Sequence, residues 1–455
     1  MSWNRREFLK AGGLTALSLG LNIFSPQIFQ RRILAGTAAS NKRLIFIFQR
    51  GGNDGVNTVI PRGDPQYNTT TRPTLFIDES EALDLGNGFA QLHPMLQPMM
   101  EIYNQTGLNG VAGPGNLAVC HRIGYSGQSQ SHFDSQQYWE NGVPGEPSRE
   151  VGIFYNQLVQ MGLEQNGFLG ASMSSSQLVG LNGPLAVPTI SNPATFSFSG
   201  APAKVLKFLG QLPSAPLGDD GRGLQGFFGG PRGSAPVQNQ NSVFGTGLTL
   251  TGAVQTVQDA LAQGPYTPTN GAVYPTGSFG DKLRNVAMLL KRTPVQILGV
   301  NIGGWDTHTG QGAIYGAHGN LLQDVAEGFR ALYRDLQEGD LWQDTVIVTM
   351  TEFGRTSVEN GSRGTDHAYA CVVLAAGGSV KGGVYNCSPS TWAPGDLFSQ
   401  SQRYVRRRTD YRAIFGEIFT KHFGDTMPIL NQVIPGYSAA ATQNPQDFTF
   451  LNLLA

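Results

Sequence analysis

The chain has 455 residues, 40% of them hydrophobic and 14% charged, enough to bury a large core and too apolar for a disordered acidic or basic tail. Its formal net charge is −1, and nothing in that balance suggests a nucleic acid partner, which calls for a basic face. With 60 Gly and 26 Pro, the composition favours many loops and turns over long solvated helices.

The amino terminus reads Asn4-Arg5-Arg6-Glu7-Phe8-Leu9-Lys10, followed by an apolar stretch from Ala11 to about Phe24. A twin arginine ahead of a modest hydrophobic segment is the signature of twin-arginine export, which moves folded proteins. Gly, Ser, Asn22 and Pro26 interrupt the run, which falls short of the roughly 20 clean residues a spanning helix needs. Residues 1–39 are therefore expected to be a signal peptide, cleaved near Ala38-Ala39, with a single mature domain over 40–455 located in the periplasm or outside the cell and not stably inserted in a membrane. Arg31-Arg32 lie late for a signal peptide and keep an uncleaved anchor open. Residues 1–39 hold five basic groups and one acidic, so the mature chain carries 26 basic and 31 acidic groups, a net charge of −5. Cys120, Cys371 and Cys387 allow at most one disulfide and have no metal-site spacing.

Leu44–Phe48 is a continuous apolar run, the pattern of a strand buried on both faces. It leads into Arg50-Gly51-Gly52-Asn53-Asp54-Gly55, where two glycines permit a tight turn and place Asn53 and Asp54 at the strand's carboxyl edge. A plain turn explains the same residues. Residues 62–110 read as an irregular excursion with a short helix around Pro94–Tyr103. A second apolar run, Leu117–Cys120, comes before a polar loop and then Ser131-His132-Phe133-Asp134. Ser131 with Asp134 three residues on, and Asn141-Gly142 as a stop, predict a helix over 132–140 capped by Ser131. A hydroxyl at the positive end of a helix can also attack a phosphate or sulfate ester.

Val151–Met161 shows helical periodicity, whereas 165–278 loses it and holds the Gly- and Gln/Asn-rich stretch Gly218–Ser242, read as part of a loop-rich insertion. Helices are predicted over Phe279–Lys291, Asn320–Leu336 and Asp410–Phe423, and strands over Val295–Val300, Val346–Met350 and Ala370–Ala375. The strand ending at Val300 precedes Gly303-Gly304-Trp305-Asp306-Thr307-His308, whose Asp306 and His308 are oxygen and imidazole donors for a divalent ion. The strand ending at Met350 precedes Glu352 and Arg355, and Asp366-His367 follow. His367 stands at the start of its own strand, so it reaches the edge that bears Glu352 if that strand runs antiparallel or the loop folds back.

Three strands thus each deliver an acid, Asp54, Asp306 and Glu352, with His308 and His367 from the same loops. The natural use is one or two divalent metals polarising an anionic ester. Arg50 and Arg355 could neutralise its oxygens or merely pair with the acids.

Arg50–Pro61 (RGGNDGVNTVIP), Ser131–Gly142 (SHFDSQQYWENG), Gly303–His308 (GGWDTH), Thr351–Arg355 (TEFGR) and Gly364–His367 (GTDH), behind a twin-arginine signal, resemble an exported bacterial family catalogued as domain of unknown function fifteen-oh-one. That family is grouped with the alkaline phosphatase and sulfatase superfamily. The resemblance implies an α/β fold, an alkaline phosphatase-like three-layer sandwich with a central, mostly parallel sheet. It implies Asp54, Asp306, His308, Glu352 and His367 as metal ligands and Ser131 as nucleophile, with Arg355 taken to bind the substrate anion. The implied ion is zinc first, with calcium, magnesium or manganese as alternatives. The superfamily's late Asp-His is here Glu352-Phe353, which removes one imidazole. His132 or Asp366 is left to fill its place, and Asn53 and Arg50 are further candidates. The expected activity is an exported, metal-dependent hydrolase acting on a phosphate or sulfate ester of a small molecule or glycan. The competing expectation is a non-catalytic secreted or cell-surface scaffold that retains the fold and assembles at the cell surface or binds another exported protein, and a third is a binding protein for anionic glycans.

Overall fold

The computed structural model describes residues 41–105, 113–163, 168–197 and 250–455. The expected signal segment 1–39 and, within the expected insertion, residues 165–167 and 198–249, Gly218–Ser242 among them, lie outside the described residues.

The fold is α/β, built on a mixed sheet of eight strands flanked by helices. Strand β1 (Arg43–Gln49) is central, between β8 (Thr345–Thr351) and β7 (Ile297–Ile302), both parallel to it. Beyond β7 lies β6 (Gly170–Met173), also parallel. On the other side β9 (Cys371–Gly377) runs antiparallel to both β8 and β5 (Leu117–Gly124). The short strands β10 (Gly383–Tyr385) and β11 (Thr409–Asp410) complete the sheet along β5. Val59–Pro61 (β2), Leu83–Asp84 (β3) and Ala90–Leu92 (β4) form a separate antiparallel sheet.

The apolar run of β1 is buried on both faces, and its side chains alternate between two cores. Ile45 and Ile47 pack with the inward stripes of α3 (Ser278–Arg292) and α4 (Ala317–Asp335). Leu44, Phe46 and Phe48 pack on the opposite face with α1 (His132–Asn141), α2 (Ile153–Met161) and α5 (Tyr411–Glu417). There Phe46 stacks on Phe154 at 3.9 Å between ring centres. Three layers result, as the strand and helix patterns predict. The helix expected over Asp410–Phe423 divides into α5 and a π turn, Ile418–His422. All three cysteines are buried and free.

One direction in the sheet decides where the chemistry can gather. β1, β5, β7 and β8 all end at the same edge, and the antiparallel β9 begins there. His367, just ahead of β9, therefore reaches the edge that Glu352 leaves. Among the described residues no helix is long and apolar enough to cross a membrane.

Candidate metal centre

Four loops meet at that edge, after β1, β5, β7 and β8, and two glycines let them approach. Gly51 has φ +126°, and a Cβ there would lie 2.3 Å from the Asp306 nitrogen. A Cβ on Gly364 would lie 2.4 Å from the His308 carbonyl carbon. Either substitution would force the ligand loops apart. Beyond β8, Thr356 N donates to Asp366 O at 2.9 Å and Ala368 N to Gly354 O at 2.9 Å, a short antiparallel ladder that sets His367 beside Arg355.

The ladder and loops bring His132, Asp306, His308 and His367 together. His132, Asp306 and His367 each have a ligand atom within 4.8 Å of the others. Asp306 Oδ1 is 3.5 Å from His132 Nε2, 3.2 Å from His308 Nε2 and 3.3 Å from His367 Nε2. Ligands about 2.0–2.1 Å from one tetrahedral ion are separated by about 3.3–3.4 Å.

The far side of each ring is held. His132 Nδ1 is 2.8 Å from Glu352 Oε1, His308 Nδ1 is 3.1 Å from Asp366 Oδ1, and His367 Nδ1 is 2.8 Å from the Gln130 carbonyl. Ionised carboxylates and carbonyls only accept, so each Nδ1 carries the proton and each Nε2 of a neutral ring presents a bare lone pair. His308 Nε2 and His367 Nε2 then face each other at 2.9 Å. Two lone pairs at that distance repel unless a cation, a proton or a metal ion, lies on them. The donor set, three imidazoles and one carboxylate each oriented by an outer partner, fits a zinc-like ion and fits poorly the oxygen-only preference of calcium or magnesium.

Electrostatics follow the same geometry. The Glu352 hydrogen bond raises the His132 imidazole above its ordinary value, whereas burial lowers that of His367. Burial works to raise the Asp306 carboxyl, but the hydrogen bond and charge of Arg355 and the charge of His132 outweigh it and hold it below the usual range. Asp306 remains 48% exposed, so the cluster opens to solvent.

The other residues singled out in the sequence take different places. Glu352 is fully buried, and its Oε1 accepts from His132, from Gly51 N at 2.7 Å and from Gln136 Nε2 at 3.1 Å. It orients an imidazole, and His132 stands where Glu352 was expected to bind. Asp366 does the same for His308. Asp54 is not gathered into the cluster: its carboxylate meets Arg72 at 2.6 and 3.1 Å and accepts from Gln311 Nε2 at 2.6 Å. Burial opposes its ionisation, but the Arg72 charge and hydrogen bonds prevail and bring the Asp54 carboxyl down to about 2. Asn53 bonds inward, to Gln49, Thr58 and His318.

Arg355, expected to bind the substrate anion, is sealed from solvent. It donates to Gly51 O, Gly52 O, Trp305 O, Thr365 O and Asp306 Oδ1, clasping three loops. Its guanidinium is therefore not turned toward a substrate. Arg50 stacks on Phe48 at 3.7 Å and pairs with Glu140 at 2.9 Å and Gln136 at 2.9 Å. Ser131 caps α1 as expected, its Oγ accepting from Asp134 N at a long 3.4 Å. Phe353 is buried, its ring 4.4 Å from that of His367 and 4.9 Å from that of His132, and so backs two imidazoles.

Two residues were missed in the sequence. Arg72 lies in the stretch read as irregular. Gln311 Oε1 accepts from Thr307 Oγ1 at 2.9 Å and Thr365 Oγ1 at 2.7 Å, one on each ligand loop, while its amide holds Asp54. A Gln in a Gly-flanked turn carries no local signal of such a role.

Residues 156–393 match the model of a family described as "Protein of unknown function (DUF1501)". None of the curated proteins matches the chain. Among solved structures, a crystal structure of Ps i-CgsB in complex with k-i-k-neocarrahexaose is similar at 10% identity and a TM-score of 0.35, covering 88% of this chain and 76% of that one. A mutant TAB5 alkaline phosphatase with Mg bound in the M3 site is similar at 10% identity and a TM-score of 0.28, covering 77% of this chain and 96% of that one.

Proposed function

The chain belongs to the DUF1501 family of proteins of unknown function, and on that premise we propose that it is a metal-dependent hydrolase of phosphate or sulfate esters. His132, Asp306, His308 and His367 hold one divalent ion, zinc in the first instance. The observation that carries this reading is the pair of bare Nε2 atoms of His308 and His367, 2.9 Å apart beside Asp306, with every outer ring nitrogen already held by an acceptor. A bound ion would relieve that repulsion, polarise an ester oxygen and offset developing negative charge.

The chain's own residues supply the remaining parts. Glu352, Asp366 and the Gln130 carbonyl fix the imidazoles, and Phe353 keeps water from their inner faces. Ser131 is the nucleophile: it lies between Gln130, which holds His367, and His132, and among the described residues its hydroxyl is tethered by the long capping contact alone. The substrate is an anionic ester of a small molecule or glycan. The protein works in the periplasm or outside the cell, after export by the twin-arginine route on the segment 1–39.

The test is elemental analysis of the purified chain, followed by assays with aryl phosphate monoesters, diesters and sulfates. One equivalent of a transition metal and turnover of at least one class are expected. Loss of metal in both His308→Ala and His367→Ala is expected as well, and unchanged metal in both removes the reading. The burial of Arg355 favours a second reading, a secreted scaffold that keeps the ion without turnover. Metal without hydrolysis of any ester supports that scaffold.

A further inference from the structure

An ester of phosphate or sulfate brings several negative oxygens, and a guanidinium matches two of them with a planar fork. Three arginines near the centre are committed elsewhere: Arg355 to the loop carbonyls and Asp306, Arg72 to Asp54, and Arg50 to Glu140 and Gln136. Arg403 is placed differently. Its side chain is 52% exposed, and its Nη2 meets Asp366 Oδ2 at 3.3 Å, long for a bond between charged groups. Asp366 Oδ1 is the atom that holds His308 Nδ1. Arg403 thus stands one carboxylate away from an imidazole of the centre, with half of its side chain exposed.

Its backbone is firm where its side chain is loose. Ser357 N donates to Arg403 O at 3.0 Å, and Gln400 N donates to Tyr404 O at 2.9 Å to close the turn. The Tyr404 ring meets that of Tyr369, two residues beyond His367, at 4.9 Å. The turn is clamped to the loop that carries His367, while the guanidinium, 5.7 Å from the centre of the Tyr404 ring, meets the cluster through the long Asp366 contact.

We propose that Arg403 is the receptor for the non-bridging oxygens of a tetrahedral oxyanion held at the His132/Asp306/His308/His367 centre, an inference that rests on reading that centre as a metal site. With the site empty of substrate, Asp366 parks the guanidinium. A phosphate or sulfate group draws it from one carboxylate oxygen to two ester oxygens, and Asp366 stays on His308 through its other oxygen.

The test uses the full chain loaded with zinc, and inorganic phosphate as the probe in calorimetric titration. Arg403→Ala is expected to weaken phosphate binding at least about tenfold with zinc stoichiometry unchanged, the loss expected for a hydrogen bond between charged groups. Arg403→Lys, which keeps the charge and loses the fork, should fall between the two. Phosphate affinity within twofold of wild type in Arg403→Ala overturns the assignment, as does a zinc-loaded wild type that ignores phosphate. A wild type that takes up no metal sinks the metal reading and this inference together, so zinc content measured on the same sample tells the two failures apart.

Discussion

Glu352→Gln separates a ligand from the residue that orients one. The substitution keeps the shape of the side chain and removes its charge, and its effect passes through one 2.8 Å contact to His132 Nδ1. Removal of an outer partner of a ligating imidazole typically weakens metal binding by about 10–100-fold, or roughly 1.4–2.8 kcal/mol. The Gly51 N–H and the Gln136 amide also lose a charged acceptor, each bond of that kind contributing about 1.5–3 kcal/mol, so the variant should melt lower as well. Titration of the zinc-loaded protein against a chelator measures the first effect, and elemental analysis at saturating zinc measures stoichiometry. The expected result is one equivalent of zinc, bound more weakly. Zinc affinity within twofold of wild type would refute the orienting role, and complete loss of zinc at saturation would return Glu352 to the ligand set.

Three more outcomes can be checked. Asp54→Asn should destabilise the fold by about 3–5 kcal/mol in denaturant unfolding, because it strands the buried Arg72 charge, while leaving zinc stoichiometry at one; a folded variant that has lost its zinc would place Asp54 among the ligands. Ser131→Ala should abolish ester turnover with metal retained and cost no more than about 1 kcal/mol of stability from the lost cap, so full turnover would exclude Ser131 as nucleophile. Burial lowers His93 and His422 to about 4 and His121 and His318 to about 3, all below the roughly 6.5 of an unfolded histidine. The unfolded chain therefore binds more protons once the pH drops below about 6.5, and stability should fall from there toward pH 4. A melting temperature flat between pH 7 and 4.5 would contradict this.

The strands and helices that build the sheet edge were legible because their apolar runs are continuous or periodic, as in Leu44–Phe48 and the α4 stripe. Asp306 with His308 was legible too, since a Gly-rich turn after a buried strand leaves few other uses for that pair. The distinction between Glu352 and His132 was not. It depends on which atoms converge across 220 residues of chain separation, and an acid after a strand looks alike whether it binds an ion or steadies a ring. The direction of β9 was likewise silent in Cys371–Gly377, because a strand buried on both faces reads the same forward and backward. Gly170–Met173 escaped notice since Gly, Ala and Ser make no hydrophobic pattern. Arg355 was legible as an arginine at the site but not as a clasp, since its acceptors are mostly backbone carbonyls that any sequence provides.

The Arg355 clasp bears on the order of events in the protein's life. The carbonyls of Gly51, Gly52, Trp305 and Thr365 are drawn together by a side chain of the protein itself. The contacts that shape the loops carrying the imidazoles are thus made within the protein and need no ion. If the proposed export and metal binding hold, the pocket is already shaped in transit, and the metal available where the protein arrives decides which ion it holds.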